Sequence, residues 1–126
     1  MAAVIAAPTS GSGKTLLSLA LVAWARVHGH AIQPFKVGPD YLDPQLLSAA
    51  AGRPCRNLDI NLCGKGWVQR AFHSYGAQAD LALVEGVMGL FDGIGCTEQG
   101  STAALAKQLK LPVVLVVDAG GQAASL

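Results

Sequence analysis

Charged side chains are scarce in this chain. Only 13% of its 126 residues are charged, against about a quarter in ordinary soluble domains. With a net charge of +1 there is no basic field for a nucleic acid and no polybasic stretch for a membrane surface. Cys55, Cys63 and Cys96 leave an odd count and show no CxxC spacing. No metal framework follows from that spacing, and a reduced cytoplasmic compartment is the expectation. Long apolar runs are also missing. The longest, Leu16 to Ala25, includes Ser18 and falls short of the roughly twenty residues a spanning helix needs. The apolar N-terminus lacks a positively charged lead and reads as a buried strand, not a signal peptide. No repeat or low-complexity tract breaks the chain, and its length bounds it to one domain.

What is abundant is apolar surface, at 52% of residues. That balance suits a parallel sheet covered on both faces by helices. Strands are predicted at about 2–6, 32–37, 81–85 and 113–117, and helices near 14–28, 43–51, 65–77 and 100–109. The alternation gives βαβ units around a mostly parallel sheet. Gly29 is placed just past the first helix. Val68 and Phe72 share one helical face. Val113 to Val117, after Pro112, reads as the clearest buried strand.

The chemistry follows the strands. Thr9-Ser10-Gly11-Ser12-Gly13-Lys14-Thr15 lies between the first strand and the first helix. Backbone N–H groups of such a loop, with the helix dipole, cradle phosphate. Lys14 would reach the β- and γ-phosphates, and the Thr15 hydroxyl would face Mg²⁺. Pro8 occupies the usual first glycine position and cannot donate an N–H. Read from Ala7, the loop is the longer-spaced variant. The second strand runs into Gly38-Pro39-Asp40-Tyr41-Leu42-Asp43-Pro44, the third into Glu85 and a glycine-studded loop containing Asp92, and the fourth into Asp118. Ligands of open α/β sheets bind beyond the carboxyl ends of the strands, so these segments converge on one rim.

Several residues carry two readings. Glu85 is either a Mg²⁺ carboxylate or a strand-end glutamate. Asp40 and Asp43 complete a metal site or bind a cation, unless Asp43 merely caps the next helix with Pro44 at its first position. Lys36 either snorkels to the rim or is aimed at an anion. Asp92 is a site residue or an ordinary turn aspartate, and Ser101 lies in what looks like a helix N-cap segment. His28, His30 and His73 read as surface residues, Cys55 and Cys63 as small buried ones, and Trp24 and Trp67 as core or interface aromatics.

Pro34 to Pro44, Asn57-Leu58-Asp59, Glu85 to Gly93 and Gly100-Ser101-Thr102-Ala103 together resemble the cobyrinic acid a,c-diamide synthase family. That family groups with dethiobiotin synthetase and the cobyric acid synthases, and the resemblance runs through the whole chain. It implies a dethiobiotin synthetase-like, three-layer P-loop sandwich, here truncated: residues 1–126 as a partial ATP-binding synthetase domain. It implies ATP- and Mg²⁺-dependent amidation of the a and c carboxylates of cobyrinate or hydrogenobyrinate through an acyl phosphate. Glutamine would supply ammonia through a C-terminal amidotransferase domain outside this chain, leaving the chain alone inactive. The catalytic set becomes Lys14, Lys36, Asp40, Glu85 and Asp92, the nucleotide set Thr9 to Thr15, and the metal set Thr15, Asp40 and Glu85. Tyr41, Leu42, Asp43 and Ser101 become the substrate side. Ile60-Asn61-Leu62-Cys63 departs from the aromatic- and methionine-containing stretch expected there. A missing sheet edge would favour homo-oligomers. The alternatives are a nucleotide-binding module without catalysis or a partitioning-type switch ATPase. The latter carries an extra lysine early in the phosphate loop, where Thr9 and Ser10 stand.

Overall fold

Side chains alternate across a strand, and here that alternation separates chemistry from core. In the computed structural model, which describes residues 1–94, 97 and 99–121, ten elements follow one another. They are β1 (Ala2–Ala6), α1 (Lys14–Val27), β2 (Ile32–Val37), α2 (Leu42–Ala51) and β3 (Arg56–Leu58). Then come α3 (Ile60–Cys63), α4 (Lys65–Gly76), β4 (Leu81–Glu85), α5 (Thr102–Leu109) and β5 (Val113–Leu115). The strands form one sheet in the order β3-β2-β4-β1-β5, and every pairing is parallel. On one face α1 and α2 bury Val22, Ala25 and Leu47 against Ile5, Ile32 and Leu83. On the other, α4 and α5 bury Val68, Phe72, Leu105 and Leu109 against Val4, Phe35, Val37 and Val84. The result is the expected three-layer α/β sandwich.

Register fixes the site. Lys36 of β2 lies beside Glu85 of β4 on one side and Asn57 of β3 on the other. Its neighbours in β2, Phe35 and Val37, join the α4/α5 core, so Lys36 projects to the α1/α2 face. Pro34 is tolerated within β2 because β3 pairs only from Phe35 onward.

Four expectations need correction. β3 and α3 fall in a stretch for which no strand or helix is predicted. Three residues without alternation leave no periodic signal for β3, and α3 depends on Asp59 accepting from the Asn61 and Leu62 amides at 3.0 and 3.1 Å. The last strand ends at Leu115, and its residues are exposed at 39 to 50%, because among the described residues β5 pairs with β1 alone, at the sheet edge. Trp24 and Trp67 are exposed, which removes the core alternative for both and leaves the interface one; Cys63 is exposed and Cys55 half-buried, against the buried reading. The three histidines are exposed as expected, and Gly29 adopts φ 79 after α1. Gly95 and Cys96 lie outside the described residues.

Phe35 packs its ring 5.2 Å from that of Phe72 and is fully buried. Phe35→Ala is expected to cost about 3–5 kcal/mol in denaturant unfolding; a loss below about 1 kcal/mol would contradict this core. The open β5 edge predicts concentration-dependent self-association by light scattering, and a monomer at all concentrations would oppose it.

Candidate functional site

The phosphate loop is closed by its own side chains. The Ser12 hydroxyl donates to the Thr9 carbonyl at 3.1 Å and lies 3.3 Å from the Thr9 hydroxyl. Gly11 and Gly13 sit at φ 77 and 93, conformations that a side chain strains. None of the described residues lies within 4 Å of where their Cβ atoms would be, so among those residues open space stands above the loop. Gly13 is the N-cap of α1, with no side-chain acceptor there and no acid in the first turn. The first N–H groups of the helix are thus left for an external anion. Ser10 is exposed and Lys14 is buried. The Lys14 ammonium donates to the Met88 carbonyl at 3.2 Å.

That contact belongs to a lock between two loops. Leu90 N donates to the Ala7 carbonyl at 2.7 Å. Gly89 lies so close that a Cβ would run into the Pro8 carbonyl. Asp92 holds the turn, its carboxylate accepting from Gly89 N at 2.8 Å. Met88 takes φ 51, a strained angle for a non-glycine residue that directs its carbonyl into this junction. Of its two readings, Asp92 therefore shows the turn contact, and its side chain supports the junction through Gly89.

Behind the loops stands a cluster of charge. The Lys36 ammonium is 3.0 Å from Asp43 Oδ2, 3.1 Å from Glu85 Oε1 and 3.6 Å from Asp40 Oδ2. It also donates to the Gly86 carbonyl at 2.9 Å. Thr15 donates to Glu85 Oε1 at 2.7 Å and lies 3.4 Å from Asp43 Oδ2. Both Lys36 and Glu85 are buried, at 2% and 0% exposure. Burial by itself lowers the Lys36 pKa, but the Glu85 and Asp43 carboxylates outweigh it and raise the value. For Asp43 burial pushes upward, and the hydrogen bond and charge of Lys36 bring the net shift down. Lys14 is lowered, chiefly by burial and then by repulsion from Lys36. Burial, then the nearby Glu85 charge, pushes the Cys55 thiol up to about 12, which removes it as a nucleophile.

The structure thus brings together Lys14, Thr15, Lys36, Asp40, Asp43 and Glu85. Lys36 does not snorkel, because its charge is met inside. The capping role falls to Asp40, whose Oδ1 accepts from Leu42 N at 3.0 Å and Asp43 N at 3.4 Å. Asp43 lies inside α2 and turns its carboxylate to Lys36, so it joins the acid cluster. Thr15, Asp40 and Glu85 are not a ready-made ligand trio. Among the described residues no set of three His, Cys, Asp or Glu is arranged to hold a metal alone, since Lys36 occupies the middle. Tyr41 and Leu42 are exposed at 80 and 70% on the rim. Ser101 is wholly buried, and its hydroxyl caps α5 by accepting from Ala104 N at 3.1 Å, so it is withdrawn from that rim. Thr102 instead holds the loop after β4, accepting from Val87 N at 3.1 Å. Asn57, which the resemblance includes without a role, joins the site: its amide donates to the Gly38 and Asp40 carbonyls at 2.8 and 2.7 Å. The register of β3 supplies that role.

The donors suit a hard divalent cation beside a nucleotide. Three carboxylates face one ammonium, and Glu85 Oε2 is buried with no partner among the described residues. A lone pair left unsatisfied there is costly without a cation to take it.

Residues 3–123 match the CobQ/CobB/MinD/ParA nucleotide binding domain. The chain is 54% identical over 124 residues to a cobyrinate a,c-diamide synthase of Syntrophotalea carbinolica, covering 98% of this chain and 27% of that protein. It is 52% identical over 124 residues to a hydrogenobyrinate a,c-diamide synthase of Streptomyces coelicolor, covering 98% and 26%. A cobyrinate a,c-diamide synthase of Synechocystis is 48% identical over 121 residues, covering 94% and 25%. The chain therefore spans about a quarter of the length of the curated relatives it matches.

Lys36→Met should cost about 3 kcal/mol or more in urea unfolding at pH 7, because it strands the buried Glu85 carboxylate beside the half-buried Asp40 and Asp43. Lowering the pH should recover part of that loss; an unchanged midpoint would contradict the ion cluster. In the native chain, Asp43 is lowered, so its contribution is full above about pH 4 and fades as pH falls through its folded value. Lys36 is raised, so its contribution is full below about pH 10 and is lost only above that. Unfolding free energies measured across both ranges check the two signs.

Proposed function

From the premise that this chain belongs to the CobQ/CobB/MinD/ParA nucleotide binding domain family, we propose that it is the ATP- and Mg²⁺-binding part of an amidoligase. The enzyme would convert the a and c carboxylates of cobyrinate, or of hydrogenobyrinate, to amides. The observation that carries this reading is the union of Thr15 with a buried, half-satisfied Glu85 at 2.7 Å, beside an open phosphate loop. The names of the relatives supply the acid.

A free carboxylate is a poor electrophile. In the proposed reaction its oxygen attacks the γ-phosphorus, the bond to the β–γ bridging oxygen breaks, and ADP departs. Ammonia then attacks the acyl carbon, loses a proton, and displaces phosphate. Such transfer needs aligned oxygens and neutralised charge more than covalent help. The loop N–H groups and Lys14 bind the polyphosphate. Thr15 and Glu85, with Asp43 or Asp40, would hold Mg²⁺, which when bound neutralises charge on the phosphates. Lys36, at the floor of the cluster, keeps the acids from repelling one another and holds Glu85 and Asp43 in place beside the transferred group. Asp92 fixes the Gly89 junction that forms one wall. Tyr41 and Leu42 present an exposed surface to the corrinoid.

Release of ammonia from glutamine is assigned to an amidotransferase region outside these residues. Among the described residues, no helix is long and apolar enough to cross a membrane; a cytoplasmic location, with a small-molecule substrate, belongs to the same proposal and is supported by the likeness to cobyrinate a,c-diamide synthases. A switch ATPase would need the early loop lysine that Thr9 and Ser10 replace.

Exchanging this chain for the matching segment of the Syntrophotalea relative tests the proposal. With ATP, Mg²⁺, glutamine and cobyrinate, mass analysis should show the a,c-diamide, and Glu85→Gln in that chimera should slow it at least about a hundredfold. Full turnover with Glu85→Gln would refute the assignment. The chain alone should bind Mg²⁺-ATP and leave glutamine intact; glutamine hydrolysis by the pure chain would contradict the division of labour.

A further inference from the structure

Phosphoryl transfer leaves one part of the rim unused. Next to the loop that bears Asp40, a cleft of about 360 Å³ opens between Pro39, β3, α3 and α4, a volume typical of small-molecule sites. Its walls include Tyr41, Arg56, Asp59, Leu62, Trp67 and Tyr75. Three of these are apolar groups held out to solvent, with Tyr41 80%, Leu62 78% and Trp67 41% exposed. Arg56 lies with its guanidinium carbon 4.3 Å above the Tyr75 ring. A ring face orients a guanidinium without neutralising it, and among the described residues no carboxylate pairs with Arg56. Asp59 contributes a buried carboxylate whose Oδ1 caps α3 and whose Oδ2 has no partner among the described residues.

The cleft and the acid cluster share one loop. Asn57, next to Arg56 in β3 and in register with Lys36, donates to the Gly38 and Asp40 carbonyls. A ligand lying in the cleft therefore abuts the loop that aims Asp40 and Asp43. Electrostatics then sets a problem for any acid substrate. Asp40, Asp43 and Glu85 crowd the reacting end, so a carboxylate arriving there is repelled until cations screen it. Affinity has to come from a positive group and apolar contact elsewhere on the substrate. Arg56 and the aromatic walls provide both.

We propose that this cleft anchors a macrocyclic polycarboxylic acid, Arg56 pairing with a carboxylate other than the one being activated while Tyr41 and Trp67 hold the apolar ring edge. Asp59 on the same wall disfavours a second carboxylate, so a single acid arm is taken there. The inference rests on the amidoligase reading and adds to it how the acid is held.

Tryptophan fluorescence tests it directly. The chain has two tryptophans, and Trp24 borders a separate apolar hollow near Ala2 and Leu81, so Trp24→Phe leaves Trp67 as sole reporter. Titrating cobyrinate into this variant should quench Trp67 saturably. Adding Arg56→Ala should weaken that binding at least about tenfold, and Arg56→Lys by a smaller factor, while Mg²⁺-ATP affinity holds within about twofold. Retained Mg²⁺-ATP binding shows that the variants are folded, and should Arg56→Ala lose it, Arg56→Lys is the variant that decides. Cobyrinate binding by equilibrium dialysis without Trp67 quenching, or with equal affinity in the folded Arg56 variants, overturns the anchor alone. Absence of cobyrinate binding in a chain that still binds Mg²⁺-ATP overturns the substrate assignment, and the anchor with it.

Discussion

One buried ammonium organises this molecule. Lys36 sits in a strand flanked by strands on both sides, where an unpaired charge would be prohibitive, and it is tolerated because Glu85, Asp43 and the Gly86 carbonyl surround it. The dependence runs both ways. Without Lys36, three carboxylates from three segments would repel each other across a low-dielectric space. Without the carboxylates, β2 could not carry a lysine next to Phe35 and Val37. The cluster thereby ties the start of α1, the start of α2 and the ends of β2 and β4 to one point.

A second constraint sets the shape above that point. The loop after β4 is pressed against the phosphate loop through Gly89, with Asp92 and Lys14 securing the approach. A side chain at position 89 would displace the Pro8 carbonyl. Pro8, which cannot donate to an anion, thus serves the junction through its acceptor, and in the proposed reading the anion would meet Gly11, Gly13 and the first turn of α1. Strain at Met88 is consistent with a loop that surrounding contacts over-determine.

Much of this was legible in the residues, because parallel α/β folds place local signals at predictable ends. The strand, loop and helix order around Lys14 fixed the nucleotide side, and apolar runs located four of the five strands. The boundaries of α1, α2 and α4 follow from glycine, proline and periodicity. What could not be read is what depends on register. Lys36 meets Glu85 across 49 residues of chain, and no spacing within either strand announces that contact. The same holds for Asn57, whose strand is too short for a pattern. The exchange of roles between Asp40 and Asp43 turned on a single helical boundary: α2 begins at Leu42, which draws Asp43 into the helix and leaves Asp40 as the acceptor before it. The exposure of β5 has a similar origin, since an apolar string specifies a strand but not what lies against it.

The central claim is that Glu85 and Thr15 form the metal side of a nucleotide site built over Lys36. Calorimetric ATP titration of the native chain and of Glu85→Gln, each with and without Mg²⁺, tests it most directly. The account predicts that Mg²⁺ strengthens ATP binding in the native chain and has little effect in the variant, while metal-free binding stays similar in both. An equal response to Mg²⁺ in the two proteins would contradict it.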